Sequence, residues 1–390
     1  MEKTKKKILQ ITLGGKNFTG IVSYLYQYYK HIDREKIIFD FLFCRENSME
    51  MIMNDPVFTG SNFFELFAIK ANSNSNDYMK IITGLRRVLK REKYDAIVVN
   101  SSVITVIVAC IIANLPHRCP IFIAHAHNSS IVPEAGSFRR NWSVLVNFAD
   151  NIFRLLVRNY SSFLFACTES AGKYTFGNSA IEKSKFQIIP NAISIEDFGY
   201  SLEVRNRTRK TLGVESETTI FGTVGQLINK KNLQFAIEIF SEIQAKDKNS
   251  ELWIIGEGPE RGNLENKVEQ ANLGNKVRFL GQRDDINELL QAMDCFLFVS
   301  ISEGLGIVAI EAQATGLLTF ISDGVPRDVL VTDVAYQIPL SKGPTYWADR
   351  ILIEMNDLEI RRARSREIRA AGYDIDHEID WMTKFYSELS

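Results

Sequence analysis

The chain is short of the residues that announce several kinds of chemistry. Its five cysteines (Cys44, Cys110, Cys119, Cys167, Cys295) are scattered through apolar runs, with no CxxC and no His-Cys cluster. That spacing argues against a disulfide framework or a zinc site and suits a reducing cytoplasm. Charge of one sign is also missing: 46 basic residues meet 47 acidic ones, a net −1, so no global electrostatic attraction to nucleic acid exists. Long apolar runs are absent. The longest, residues 103–113, is too short to span a bilayer, and the apolar stretch after the first lysines is too short for a signal peptide. The expectation is a soluble or peripheral protein. The GxGxxG fingerprint is missing too, which removes the simplest nicotinamide reading.

What is present is a long alternation of apolar runs and helical patterns. Residues 7–13, 37–43, 63–69, 95–100, 120–126, 162–168 and 185–189 read as strands, with helical patterns between them at 77–92 and 103–114. Continuous Ile, Val and Phe runs separated by helices indicate a parallel sheet covered on both faces. Residues 190–209 read as polar and irregular, a hinge between domains. A second series follows, with strands at 219–224, 251–255, 277–280, 294–299 and 317–321 and helices at 232–246 and 261–272. With 390 residues, two substantial cores are affordable. The fold class expected is α/β, with two Rossmann-like domains. Residues 1–190 form the first, 191–370 a linker and the second. Residues 371–390 form a final helix packing back on the first domain.

The densest chemistry lies at residues 299–312, VSISEGLGIVAIEA. A buried strand runs into an acidic turn, then glycines, then a helix. The first amides of a helix lack intrahelical partners and carry the positive end of its dipole, and a Gly-bearing turn lets a phosphate approach them. Glu303 precedes the helix and Glu311 lies inside it, so the two carboxylates can accept bonds from polar substrate groups. The alternative is a solvated Glu and a helix that happens to begin with Gly. Other strand-end turns recur in this half. TVGQLINKKN places Gln226, Lys230 and Lys231 before a helix, where a lysine can neutralise a phosphate, although a single Lys is by default solvated surface. IIGEGPER carries Gly256, and LGQRD carries Arg283. In the first half, the opening strand runs into a glycine loop ending at Gly20. The strand 121–124 delivers His125 and His127 at its carboxyl end, where open α/β sheets bind ligands. Two histidines at i, i+2 could chelate a metal, but no third ligand is evident. A contact to a sugar or phosphate is the alternative to a satisfied structural histidine. Residues 137–165 are basic and aromatic: Arg139, Arg140, Arg154 and Arg158 against Asp150, with Trp142, Phe148, Phe153 and Tyr160 interleaved. The part from 138 to 160 suits contact with an anionic membrane.

Taken together these stretches resemble the GT-B fold glycosyltransferases of family 4, the retaining group that includes bacterial capsular and exopolysaccharide enzymes. Glu303 and Glu311 fit that family's E-x7-E motif within GLGIVAIEA; VGQLINKKN is similar to its donor loop, IIGEGPER to its G-x-G-P turn, and IIPNAISIEDF to its linker. GGKNFTGIVSYL, AHAHNSS and FACTESAGKYTFG resemble its first-domain motifs. The resemblance implies two Rossmann-like domains facing each other across a cleft, and a nucleotide-sugar donor with UDP the expected nucleotide. The acceptor implied is a glycan or lipid-linked saccharide, and no metal or other cofactor is expected. Residue by residue it implies that Glu311 binds the ribose, that Glu303 contacts the donor sugar, and that Lys231 and the amides of Gly304, Leu305 and Gly306 hold the diphosphate. Gln226, Lys230, Gly256 and Gly20 would line the donor, the backbone at Arg283 would face the base, and His127, or else His125, would contact the sugar. The chain departs from the pattern at Gln226, where the family often has Arg, at Asp328, where many members have Glu, and in the length of the N-terminal loop. A sugar-nucleotide epimerase and a non-catalytic sugar-nucleotide-binding protein are the alternatives. The E-x7-E context speaks against the first and the Lys231, Glu303, Glu311 and His127 set against the second.

Overall fold

The structure is a computed structural model and describes residues 5–12, 20–44, 55–66, 75–127, 143–356 and 361–389. The expected loop at 13–19, the end of the expected strand at 67–69, and residues 138–142 lie outside the described residues. The chain forms two compact units. One comprises Met1–Ala192 with Ile375–Ser390, and the other Ile193–Asp374. The chain crosses between them two residues after 190 on the way in and four after 370 on the way out. The physical reason is local: Ile193 N–H donates to the Tyr373 carbonyl at 2.9 Å, and Ile193 and Asp374 form a parallel bridge. Entering and leaving strands are thus tied together inside the second unit.

The first unit runs β1 (Lys6–Thr12), α1 (Gly20–His31), β2 (Ile37–Phe43), β3 (Phe63–Glu65), α2 (Ser75–Arg91), β4 (Ala96–Asn100), α3 (Ile104–Asn114), β5 (Ile121–Ala126), α4 (Ser143–Tyr160), β6 (Phe163–Ala166), α5 (Glu169–Phe176), α6 (Asn178–Ile181) and β7 (Phe186–Ile188). Its seven strands lie in the order β3-β2-β1-β4-β5-β6-β7, all parallel. The order reverses between β1 and β4, whose central residues are buried because both of their faces are covered. On one face Leu85, Ile107, Cys110 and Val157 pack on Leu9, Ile97 and Val99. On the other, Tyr24, Leu25 and Tyr28 of α1 pack with Phe39, Phe41 and Val98.

The second unit runs α7 (Leu202–Thr211), β8 (Thr219–Val224), α8 (Leu233–Lys246), β9 (Ser250–Ile255), α9 (Arg261–Gln270), β10 (Val277–Gly281), α10 (Ile286–Ala292), β11 (Cys295–Phe298), α11 (Ile307–Ala314), β12 (Leu318–Ser322), β13 (Ala335–Ile338), α12 (Gly343–Asn356) and α13 (Ser365–Ala370). The strand order is β10-β9-β8-β11-β12-β13, again parallel, with its reversal between β8 and β11. The last helix, α14 (Ile375–Ser387), belongs to the first unit, where Ile379, Met382 and Tyr386 join the cluster formed by α1 and Phe39.

Part of the expected hinge is a helix. Ser201 caps α7 by accepting from Val204 N–H, and the charged residues that looked like linker anchor it. Arg205 donates to Asp294 at 2.6 Å and to the carbonyls of Gln291, Ala292 and Met293. Arg209, 5% exposed, reaches Asp294 and the Ala292 carbonyl. These arginines, with Arg361 on the Leu290, Gln291 and Met293 carbonyls, satisfy the open carboxyl end of α10. Polar composition at 205–209 therefore marks the middle of a packed helix rather than a loop.

Candidate functional site

In open parallel sheets, ligands bind outside the carboxyl ends of the strands, where the strand order reverses. In the second unit that point lies between β8 and β11. Lys231 follows β8 and Glu303 follows β11, and the structure joins them: Lys231 Nζ lies 2.6 Å from Glu303 Oε1. Ser300 Oγ donates to the same oxygen at 2.8 Å. Both side chains are mostly buried, at 19% and 11% exposure, so the pair is screened only weakly by salt. Lys231 also lies against the Phe298 ring and over Gly225, where an added Cβ would stand 3.3 Å from its Cε.

The loops holding this pair are stitched by backbone bonds. Ile301 N–H donates to the Lys230 carbonyl at 2.9 Å, and Glu303 N–H to the Gly324 carbonyl at 3.1 Å. Glycine is required where backbones touch. A Cβ on Gly256 (φ 130°) would sit 2.0 Å from the Gly225 carbonyl oxygen. Gly306 has φ 86° as the residue before α11, and a Cβ there would strike the Phe298 ring at 2.4 Å. The glycine turns after β8, β9 and β10 are thus neighbours on one sheet edge, with Gly225 N–H on the Ile255 carbonyl and Gly256 N–H on the Gly281 carbonyl.

Gly304, Leu305 and Gly306 lead into α11, whose first amides supply positive potential beside Lys231. Glu311 lies one turn inside that helix. It is partly buried, has no hydrogen-bond partner among the described residues, and desolvation raises its carboxyl pKa to about 7. An unpartnered, desolvated carboxylate is a ready acceptor for a pair of hydroxyls. Around the rim, Lys230 is half-buried and Gln226 exposed. Arg283 is engaged by its own turn, donating to both oxygens of Asp285 at 2.8 and 2.5 Å, so its backbone rather than its guanidinium is on offer. Asp328 is exposed in a short 3-10 turn.

In the first unit, β5 delivers His125 and His127, both buried at 1% and 5% exposure. Their ring centroids are 4.1 Å apart, and Tyr24 of α1 lies 5.2 and 5.0 Å from them. Burial holds His125 well below the ordinary histidine range and His127 at about 3, so both are neutral at neutral pH. His127 Nε2 meets Asn100 Oδ1 at 3.1 Å, and its backbone N–H donates to Ser102 Oγ at 3.0 Å. Gly20 is the first residue of α1, which follows β1 at this unit's own reversal point. No group of three or more metal-ligating side chains occurs among the described residues.

Sequence reasoning overlooked Asn100, Ser300 and Tyr24. The first two had a signal: each is a polar residue ending or following a wholly apolar strand, AIVVN and CFLF, at the ligand-binding edge. Tyr24 had none, being one of several aromatics in α1.

Two parallel sheets with these strand orders define the fold as two Rossmann-like domains, the GT-B class. Solved structures share it over almost the whole chain. Anabaena HepE in complex with UDP-glucose superposes with a TM-score of 0.73 at 19% identity, covering 98% of this chain and 100% of that one. WaaG, a glycosyltransferase involved in lipopolysaccharide biosynthesis, gives 0.66 at 16%, covering 98% and 97%. Residues 204–362 match the family model for glycosyl transferases group 1. The chain is 27% identical to the putative glycosyltransferase EpsF of Bacillus subtilis over 99% of its own length and 98% of the relative's. It is 25% identical to the UDP-Gal:alpha-D-GlcNAc-diphosphoundecaprenol alpha-1,3-galactosyltransferase of Escherichia coli, over 72% and 68%.

Proposed function

We propose that the chain is a retaining, family-4-type glycosyltransferase that moves a sugar from a UDP-linked donor to a glycan or lipid-linked saccharide. The observation that carries this reading is the arrangement at the reversal point of the second sheet. Lys231, paired with Glu303, stands there beside the N-terminus of α11, with the unpartnered Glu311 inside that helix. Those groups match the parts of a nucleotide sugar. Glu311 accepts from the ribose hydroxyls, and Lys231 with the amides at Gly304, Leu305 and Gly306 holds the diphosphate. Glu303 contacts the sugar, and the backbone at Arg283 faces the base. Gln226, Lys230, Gly256 and Gly20 line the donor, and His127 contacts the sugar.

Breaking the sugar–phosphate bond builds negative charge on the departing nucleoside diphosphate. Lys231 and the helix amides stabilise that charge more in the transition state than in the ground state. We assign them this role without a metal ion. The leaving phosphate then helps deprotonate the acceptor hydroxyl on the same face of the sugar. The relative named for a diphosphoundecaprenol substrate supports a lipid-linked acceptor. We assign the chain to capsular or exopolysaccharide synthesis, at the cytoplasmic face of the membrane. Contact with that membrane is assigned to α4, which exposes Ile152, Leu155 and Leu156 at 42%, 49% and 47%. No described helix is long and apolar enough to cross a bilayer.

The test is a thermal-shift screen of UDP, GDP, ADP and their sugar conjugates on the whole chain. A ligand that binds only the folded state raises the midpoint by mass action. Selective stabilisation by UDP and UDP-sugars, with sugar transfer to a lipid-linked saccharide and retained anomeric configuration, is expected. A chain indifferent to all of them sinks the reading.

A further inference from the structure

The polar groups behind His127 decide which of its ring nitrogens is available. Asn100 is fully buried at the end of β4. Its side-chain nitrogen faces Gln10 Oε1 at 2.9 Å and the Ile11 carbonyl at 3.4 Å. A carbonyl oxygen only accepts, so this end of Asn100 is the NH2 group. The other end, Oδ1, lies 3.1 Å from His127 Nε2, and an amide oxygen also only accepts. Nε2 must therefore carry the hydrogen. Because the desolvated ring is neutral, Nδ1 is left with a bare lone pair.

That lone pair is buried and has no partner among the described residues. His125 Nε2, in the adjoining ring, is a second buried nitrogen without one. Buried ring nitrogens are costly to leave without hydrogen-bond partners, so two together mark a place built to meet polar groups of a ligand. The bond from Nε2 to Asn100 orients the ring, and the His127 backbone is held as well. Ser102 Oγ holds the His127 N–H, Cys167 Sγ reaches its carbonyl, and Tyr24 packs on the ring. The network continues from Asn100 through Gln10 to the Tyr386 hydroxyl on α14, so the end of the chain braces it.

We propose that Asn100 is a positioning residue that locks His127 in the Nε2–H tautomer. Nδ1 is thereby presented as an acceptor for a hydroxyl of the donor sugar, and a sugar bearing a carboxylate at that position is rejected. The sugar contact rests on the glycosyltransferase reading; the tautomer does not. A hydroxyl donates to the lone pair, whereas an ionised carboxylate offers only lone pairs of its own and meets repulsion.

The experiment separates the two. The chain contains five histidines, so 15N-histidine labelling of the whole protein gives a small imidazole spectrum, assigned with His127→Phe. At neutral pH and without ligand, His127 should show a protonated Nε2 and an unprotonated Nδ1. The opposite tautomer overturns the proposal. Asn100→Asp keeps an acceptor toward Nε2 and should keep that nitrogen protonated, whereas Asn100→Leu should give a mixture or the reverse. An unchanged tautomer in the leucine variant also overturns it. Should that variant fail to fold, the wild-type and aspartate spectra decide.

The second arm measures Kd for UDP, UDP-glucose and UDP-glucuronate. Wild type should prefer UDP-glucose to UDP-glucuronate by about tenfold or more. His127→Phe and Asn100→Leu should lose that preference while their Kd for UDP stays unchanged. Equal affinities in the wild type refute the discrimination. If no uridine nucleotide binds, the functional reading fails and the hydroxyl assignment with it, while the tautomer stands or falls on the spectra.

Discussion

Glu311 offers the sharpest link between stability and ligand binding. Its carboxyl titrates near 7 in the folded chain because it is desolvated and unpartnered, against an ordinary value of 4.5. The sign follows from which state binds the proton. Between those two values the unfolded chain ionises this group while the folded chain keeps it protonated, so stability falls as pH rises. Below 4.5 the two states are alike; above 7 the loss is complete. A displacement of that size amounts to about 3 kcal/mol at pH 8 and about 1 kcal/mol at pH 5. Glu311→Gln keeps the shape and removes the titration. The variant should therefore be more stable than wild type, by a margin growing from about 1 kcal/mol at pH 5 to about 3 kcal/mol at pH 8. Urea denaturation can be followed by the fluorescence of Trp253 and Trp347, which are fully buried in the second unit. The same substitution should abolish stabilisation by UDP, because the amide cannot accept from both ribose hydroxyls as a carboxylate does. In the wild type those hydroxyls favour the ionised form, so UDP binding at pH 7 should release about half a proton. That release is read by calorimetry in buffers of different ionisation enthalpy. A variant no more stable than wild type at pH 8, or a margin that does not grow with pH, refutes the desolvation argument. Undiminished UDP binding in the variant refutes the assignment of Glu311 to the ribose.

Three further outcomes are expected. Lys231→Met should weaken UDP-sugar binding at least tenfold, the scale of a lost charge-assisted hydrogen bond, and lower the turnover of bound donor further; unchanged turnover at saturation would remove Lys231 from the chemistry. Gly256→Ala should destabilise the second unit by roughly 3 kcal/mol or more, since its Cβ would sit 2.0 Å from the Gly225 oxygen at a positive φ, while Gly262→Ala in α9, with nothing within 4 Å, should stabilise by up to about 1 kcal/mol; equal midpoints in thermal melts would contradict the nested-turn geometry. Replacing Ile152, Leu155 and Leu156 together by Asp should abolish cosedimentation with anionic vesicles and leave the melting temperature within a few degrees, because all three are exposed; full retention on the vesicles would rule out α4 as the contact.

The strands were the most legible elements. Ile37–Phe43 and Thr219–Val224 coincide with the expected strands at both ends, because a strand covered on both faces is built largely of apolar residues. Ala335–Ile338 escaped notice because an edge strand, AYQI, is only partly buried and carries no such run. The helix at 202–211 was hidden for a different reason: its arginines are held by carbonyls some eighty residues away, a partner no local pattern reveals. At the site, Lys231, Glu303 and Glu311 could be picked out because polar residues beside glycines at strand ends have few structural reasons to be there. Asn100 could not be ranked above any other buried amide until its partners were visible.

By itself the sequence determined the two parallel α/β units, the strand ends that carry polar side chains, and the lack of charge, cysteine or apolar length for other classes of protein. These depend on spacing and composition, which local sterics and burial translate directly into helices, strands and turns. Only the tertiary structure decided the strand orders, and with them which loops become neighbours at the two reversal points. It alone paired Lys231 with Glu303 across seventy-two residues of chain. It alone left Glu311 desolvated without a partner and chose the protonated nitrogen of His127 through Asn100. Each of these is a property of distance and desolvation between residues remote in sequence, and no local pattern encodes it.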